Sequence, residues 1–280
     1  MGQNLAYMEK APLISVILPV YNGGPFLRQT LEALLAQTFE DFELIVINDG
    51  STDDSEATIL SFNDPRIHYF PQPNQGFIFS LNRGIAAARG KYIARIDADD
   101  VCLPERFERQ AAWLADHPET AVVGCFVTFI DENGRETGIW PEDRACVTNE
   151  QIRRALPRFN CIAHPGVMAR AEVFREYPYR KEQKHIEDYD LWLRLQGDGK
   201  VMEKVPEPLL LYRVHSGSVT VSVIKKNNIF LRHFHCKRRY LALRLAQGKW
   251  NGFDCRVLAG MCRDAVIAVV KSFKQRKTHV

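Results

Sequence analysis

Ser15-Val16-Ile17-Leu18-Pro19-Val20-Tyr21-Asn22-Gly23-Gly24-Pro25 is the stretch on which the reading of the fold turns. Residues 13–19 form a continuous run, apolar and β-branched apart from Ser15, that stops at a proline just before turn residues. A strand that is apolar at every position has both faces covered, as in a parallel sheet. Residues 44–47 repeat the pattern and stop at Asn48-Asp49-Gly50. Between the two runs, Phe26, Leu27, Leu31, Leu34 and Leu35 recur at helical spacing behind the Asn22-Gly23-Gly24-Pro25 turn. Strand, helix and strand in that order make a βαβ unit. A helix starting within residues 51–55, a short strand near 67–70, a helix over 76–88 and a strand over 92–96 continue the alternation. Such alternation over about 100 residues predicts a doubly wound sheet with ligands in the crevice at the carboxyl ends of its strands.

Beyond residue 100 the pattern becomes mixed. A helix is expected over 104–116, an apolar strand over 121–130, a turn at Glu132-Asn133-Gly134, irregular chain to about residue 163, and a helix through 188–195. After residue 222 two helical stretches follow, 225–246 and 254–273, divided by the breakers Gly248 and Gly252. In the first, helical spacing predicts one apolar face from Ile224, Leu231, Phe234, Leu241 and Leu245, with Arg232, Lys237, Arg238, Arg239 and Arg244 around the rest. The expected division is 1–100, 101–224 and 225–280.

A chain of 280 residues has room for one large or two small domains. With 46% hydrophobic and 25% charged residues it is neither collagen-like nor wholly disordered. The net charge of +3 conceals an asymmetry: residues 1–224 carry 23 Lys and Arg against 32 Asp and Glu, and residues 225–280 carry 14 against 2. An acidic body with a basic tail points to an anionic partner surface. The 7 cysteines are odd in number, scattered and never in a Cys-x-x-Cys pair, which predicts reduced thiols in a cytosolic protein. Residues 1–10 lack the pattern of a secretory signal, and Ala6 stands where a myristoylation motif needs Ser or Thr. The longest apolar runs, 14–20 and 121–130, are too short to span a bilayer.

Two motifs carry the chemistry. Asp97-Ala98-Asp99-Asp100 directly follows a strand, and clustered carboxylates suit hard ions such as Mg2+ or Mn2+ that hold phosphates. The same residues also suit a solvated turn. Pro19-Val20-Tyr21-Asn22 and Asn48-Asp49-Gly50-Ser51-Thr52-Asp53 close two adjacent strands. There Tyr21 can stack on a nucleobase and Asp49 can accept from its ring N–H, while Ser51 or Asp53 can cap the next helix.

These residues, with Asn74-Gln75-Gly76 and Arg89-Gly90-Lys91-Tyr92, stand in an order and spacing that resembles the family 2 glycosyltransferases of the GT-A fold. Glu187-Asp188-Tyr189-Asp190-Leu191-Trp192 is similar to that family's catalytic-base motif, and Tyr212-Arg213-Val214-His215 to a loop over the donor diphosphate. The resemblance ends near Ser222. It implies an α/β fold of GT-A type, a mixed and mainly parallel Rossmann-like sheet flanked by helices, to which the basic helices are an extension. It implies a UDP-sugar donor, with Pro19 in the donor-binding strand end, Tyr21 and Asp49 at uracil, Asp97 at the ribose, and Asp99 on a Mn2+ or Mg2+ ion. Asp188 would be the general base, and Arg213 and His215 would help hold the diphosphate or the metal. Asp97 with Asp99, or Asp99 with Asp100, supplies the metal pair; Asp99 belongs to both.

The implied reaction moves a hexose or N-acetylhexosamine, with inversion, to a hydroxyl of a surface glycan such as lipooligosaccharide or capsule. A metal stabilises the departing diphosphate, and a carboxylate taking the acceptor proton typically contributes 10²- to 10⁴-fold. The bland role for Glu187 and Asp188 is to complement the dipole at a helix start. His164-Pro165-Gly166 forms a turn on the acceptor side, and Trp140, Trp192 and Trp250 are stacking candidates, with core packing the stronger reading of Trp192. The rivals are a nucleotidyltransferase, whose cation-rich triphosphate loop is missing before Arg28, and a non-catalytic UDP-sugar-binding subunit, which has no use for Asp188. For residues 225–280 an anionic membrane is favoured over packing on the body or homodimer pairing; nucleic acid is not expected, since no RNA or DNA motif accompanies the charge. The expected location is the cytoplasm, peripheral on the inner membrane.

Overall fold

The computed structural model describes residues 11–217 and 228–277. Ile224 and the first residues of the expected tail helix lie outside that range. The chain alternates β1 (Ile14–Val20), α1 (Leu27–Leu35), β2 (Phe42–Asn48), α2 (Ser55–Leu60), β3 (Ile67–Pro71), α3 (Phe77–Ala87) and β4 (Tyr92–Arg95). Next come β5 (Val101–Cys102), α4 (Arg106–Asp116) and β6 (Thr120–Ile130). The segment expected to be irregular contains a strand, β7 (Glu136–Ile139), and two short helices, α5 (Pro141–Ala145) and α6 (Asn149–Ala155). The start of α6 is a capping box, with Thr148 and Gln151 satisfying each other's backbone N–H groups. Then follow β8 (Met168–Arg170), α7 (Ala171–Glu176), α8 (Glu187–Gly197), β9 (Val201–Arg213) and two tail helices, Ile229–Ala246 and Gly252–Lys277.

The described strands form one sheet in the order β3-β2-β1-β4-β8-β6-β9-β5, with β7 on β6. It is parallel through β3, β2, β1 and β4, and mixed beyond. The unbroken apolar runs have the expected cause. Ile14, Val16, Leu18 and Val20 face a core layer with Leu27, Leu31 and Leu34 of α1, while Ile17 packs on the opposite side with Leu81 and Ile85 of α3. In β2, Leu44 and Val46 divide from Ile45 and Ile47 in the same way. Each such side chain contributes about 1.5–3 kcal/mol on burial. Between β4 and β1, the Gly90 N–H donates to Ser15 Oγ at 2.8 Å, and a Cβ at Gly90 would fall 2.6 Å from Ser15 N. Only glycine fits that approach.

The tail packs on the body through α8, where Tyr189 lies against His233 with ring centroids 4.7 Å apart. The buried side of its first helix is Cys236, Lys237, Tyr240, Leu241 and Arg244. Leu231 and Leu245 are 47% and 63% exposed, so the single apolar face expected of this helix is not formed. The periodicity counted only apolar residues, whereas Lys237 is buried by pairing with Asp264 at 2.6 Å, and Arg244 by pairing with Asp198 and Asp254. No helix among the described residues is long and apolar enough to cross a membrane.

The last helix meets the body closely at Gly260, where a Cβ would fall 1.8 Å from the Pro157 carbonyl oxygen. Gly260→Val is therefore expected to lower stability by about 2 kcal/mol, in the range of overpacking. Denaturant unfolding of the two proteins measures the difference, and an unchanged midpoint would show that the tail does not dock here.

Candidate active site

Strands β1, β2 and β4 run parallel, so their carboxyl ends deliver residues 19–24, 48–53 and 97–100 to one edge. The first two loops interlock. Asn22 N donates to Ser51 Oγ at 3.0 Å, Thr52 N to Asn22 Oδ1 at 2.8 Å, and Gly24 N to Asp53 Oδ2 at 3.0 Å. Asn22 takes the left-handed conformation, φ 52°, which asparagine tolerates better than most residues. Pro19 is the penultimate residue of β1. Beyond it the Tyr21 ring is 54% exposed, free to receive a planar ligand.

Asp49 is 3% exposed and well occupied. Its Oδ1 accepts from Gln72 Nε2 at 2.7 Å and Gln75 N at 2.8 Å, and its Oδ2 from Gly76 N at 2.8 Å. A carboxylate offers about four acceptor positions, so among the described residues one remains, on Oδ2.

Asp97, Asp99 and Asp100 each have a carboxylate oxygen within 4.8 Å of the others. Asp99 Oδ2 lies 3.0 Å from His215 Nε2, which joins the end of β9 to the loop after β4. Asp100 is 1% exposed; its Oδ1 accepts from Arg213 N at 2.8 Å, and its Oδ2 is buried without a partner among the described residues. Burial, followed by the charges of Asp99 and Asp97, pushes the Asp100 carboxyl well above the usual range. Burial also carries Asp97 up to about 6, against the pull of Arg95. Crowded hard oxygen donors, one of them unsatisfied, fit a divalent cation.

Arg213 is 2% exposed and turned into the protein. Its Nε donates to the Asp99 carbonyl at 2.8 Å, Nη1 to the Asp131 carbonyl at 2.9 Å and Nη2 to Gln29 Oε1 at 2.6 Å. The guanidinium lies over Phe26, whose ring also meets His215 at 4.8 Å. These bonds tie the guanidinium to the loop that carries Asp99 and to the turn at Asp131.

Asp188 stands in the first turn of α8, half-buried, and its Oδ2 accepts from Asn160 Nδ2 at 2.7 Å. Burial raises its pKa, while the Tyr189 N–H, Asn160 and Arg95 pull it back. Its neighbour Glu187 is carried up to about 7 by burial and by the Asp188 charge. Asp188 is near enough to Asp97 for its charge to act there.

Sequence reasoning missed Arg95 and Asn160. Arg95 is 3% exposed, pairs with Asp97, and leaves Nε and Nη1 without partners among the described residues. The signal was a lone cation in the otherwise apolar Tyr92–Arg95 strand. Nothing in the sequence marks Asn160, because its partner is 28 residues away. Of the other candidates, His164 is buried, hydrogen-bonded to Tyr179 Oη at 2.7 Å, and held well below its usual pKa by burial and by Arg95. Trp192 is wholly buried, Trp140 packs at the edge of the core, and Trp250 lies between the tail helices. All 7 cysteines are free.

Fold and site together define a glycosyltransferase of GT-A type. The chain belongs to glycosyl transferase family 2, which it matches over residues 15–178. It is 34% identical over 229 residues to an uncharacterized glycosyltransferase of Haemophilus influenzae, covering 77% of this chain and 69% of that one. It is 30% identical over 217 residues to the O-antigen biosynthesis glycosyltransferase WbnJ of Escherichia coli, covering 76% and 84%. S. aureus TarS 1–349 in complex with UDP-GlcNAc has the same fold, with TM-score 0.65 and 19% identity over 81% of this chain and 66% of that one. So has the mannosyltransferase PcManGT of Pyrobaculum calidifontis in complex with GDP-Man and Mn2+, with TM-score 0.64 and 16% identity over 95% and 76%. Family membership sets aside the nucleotidyltransferase and the non-catalytic subunit.

Two predictions follow from the geometry. His215→Ala is expected to weaken Mn2+ binding, measured by titration calorimetry, at least about 10-fold, the least that disturbing even a metal site's outer shell usually costs. Asn160→Ala removes a bond that lowers the Asp188 pKa, so the acidic limb of the rate profile is expected to move to higher pH; an unmoved limb means that Asp188 does not set it.

Proposed function

We propose that the protein is a metal-dependent, inverting glycosyltransferase that moves a hexose or N-acetylhexosamine from a UDP-sugar to a hydroxyl of a surface glycan or glycolipid. The observation that carries this reading is the convergence of Asp97, Asp99 and His215 with the half-buried Asp188 across the carboxyl edge of the sheet.

Tyr21 stacks on the base, and the one acceptor position left on Asp49 Oδ2 suits a base that offers one N–H. Uracil offers a single ring N–H, whereas guanine presents a ring N–H and an amino group side by side. That difference supports UDP over GDP. Asp97 takes the ribose, and Asp99 and His215, with Asp100 behind them, hold a Mn2+ or Mg2+ ion. Such an ion supplies positive charge to the diphosphate leaving group. Arg213 keeps the Asp99 backbone in position through the carbonyl it binds.

Asp188 removes the proton from the acceptor hydroxyl as its oxygen bonds to the anomeric carbon; the bond from that carbon to the diphosphate oxygen breaks, and UDP leaves. One carboxylate on the acceptor side suits a single displacement with inversion. The raised pKa of Asp188 makes it a stronger base than an exposed aspartate. The family relationship to an O-antigen biosynthesis enzyme supports a glycan acceptor.

Asp188→Asn is expected to lower transfer at least about 10²-fold and to leave UDP affinity within a factor of two or so. A panel of UDP-sugars with Mn2+, read by UDP release and by calorimetry, measures both. Full transfer by the variant removes the mechanism, and failure of every UDP-sugar to bind removes the donor assignment.

A further inference from the structure

Residues 225–280 contain only two acidic side chains, Asp254 and Asp264. Both are 0% exposed. Asp264 accepts from Lys237 Nζ at 2.6 Å and Arg263 Nη2 at 3.0 Å, and Asp254 accepts from Tyr240, from Arg244 and from Asn251 N at 2.8 Å. The outer surface of the tail therefore carries no negative side chain. An ordinary solvated helix pair mixes both signs.

The last helix, Gly252–Lys277, also leaves an apolar stripe uncovered. Leu258, Ala259, Cys262, Val266, Val269 and Val270 are all exposed, Val266 at 64% and Val269 at 54%. At 100° per residue they fall within about a third of the helix circumference. No charged residue interrupts the stripe, while Arg256 and Lys271, both exposed, lie off it. Apolar residues on one side of a helix with cations beside them make up the pattern of a helix that lies in a membrane interface.

We propose that this stripe docks the protein on an anionic lipid bilayer, with the valines among the upper acyl chains and the neighbouring cations at the headgroup phosphates. The occupant follows from complementarity. A second copy would set one acid-free basic tail against another, with like charges crowded around a narrow apolar seam. A nucleic acid would use the cations and leave the valines in water. An anionic bilayer satisfies both, and places the enzyme where a lipid-linked acceptor would be presented. The docking helix is the second of the tail, not the first, whose expected apolar face is divided between core and solvent. The inference stands apart from the sugar-transfer reading, since it concerns neither donor nor metal.

Co-sedimentation of the full-length protein with vesicles tests it. Vesicles of phosphatidylcholine with admixed phosphatidylglycerol are expected to bind the protein, pure phosphatidylcholine vesicles to bind little, and added salt to weaken the binding through screening. Val266→Asp with Val270→Asp is expected to lower affinity for the anionic vesicles at least about tenfold, and Val266→Leu with Val270→Leu to raise it several-fold. Thermal melting checks that both double variants remain folded; if the aspartate pair does not fold, the leucine pair decides. The proposal is overturned if anionic vesicles bind nothing, if the substitutions leave binding unchanged, or if the wild type is a solution dimer that the aspartate pair dissolves without affecting vesicle binding.

Discussion

Arg95 is the counter-charge on which the crowding of acids at the sheet edge depends. Asp97, Asp100, Glu187 and Asp188 all feel its field, although they come from two segments about 90 residues apart. Without a buried cation between them, carboxylates gathered this closely would protonate or drive the loop and the start of α8 apart. A guanidinium suits the task because it stays charged when desolvated, whereas a buried lysine readily loses its proton. Its two unpartnered nitrogens are a cost of this placement, offset in part by the Phe77 ring 5.2 Å away. The body of the enzyme can thus be read as a frame that holds negative charge in place until substrate arrives.

Much of this frame was legible in the residues themselves. The runs around Val16 and Val46 announce a sheet covered on both faces because apolar residues occupy alternate and intervening positions alike, with Ser15 the exception, and the turns after them announce where ligands gather. The motif order carried Asp97, Asp99 and Asp188 to one site. What escaped were pairings made across long sequence separations. The position of Arg213 suggested a part in holding the diphosphate or the metal, but gave no sign of its bonds to Gln29, Asp99 and Asp131. No local pattern separates an arginine facing a crevice from one facing the protein.

The tail illustrates the same limit. A helical wheel counts leucines, and it cannot anticipate that Lys237 and Arg244 will be buried while Leu245 is not. Two hidden aspartates reverse the expected polarity, turning cations inward and leaving aliphatic residues outside. The tail also bears on the chemistry, because the α8 helix that carries Asp188 at its start is packed against His233 through Tyr189. Basic extension and body are joined at the element that carries Asp188.

The near-filled acceptor set of Asp49 has a consequence for how the proposed donor preference could change. Two of its three hydrogen-bond donors are main-chain amides, those of Gln75 and Gly76. A point substitution can release the position that Gln72 Nε2 fills, but replacing neighbouring side chains leaves the two amides in place. On the reading proposed above, opening a second position on Oδ2 would require reshaping the turn at Gly76, by insertion or deletion. The Oδ2 side of Asp49 is thus held by main chain rather than by a replaceable side chain.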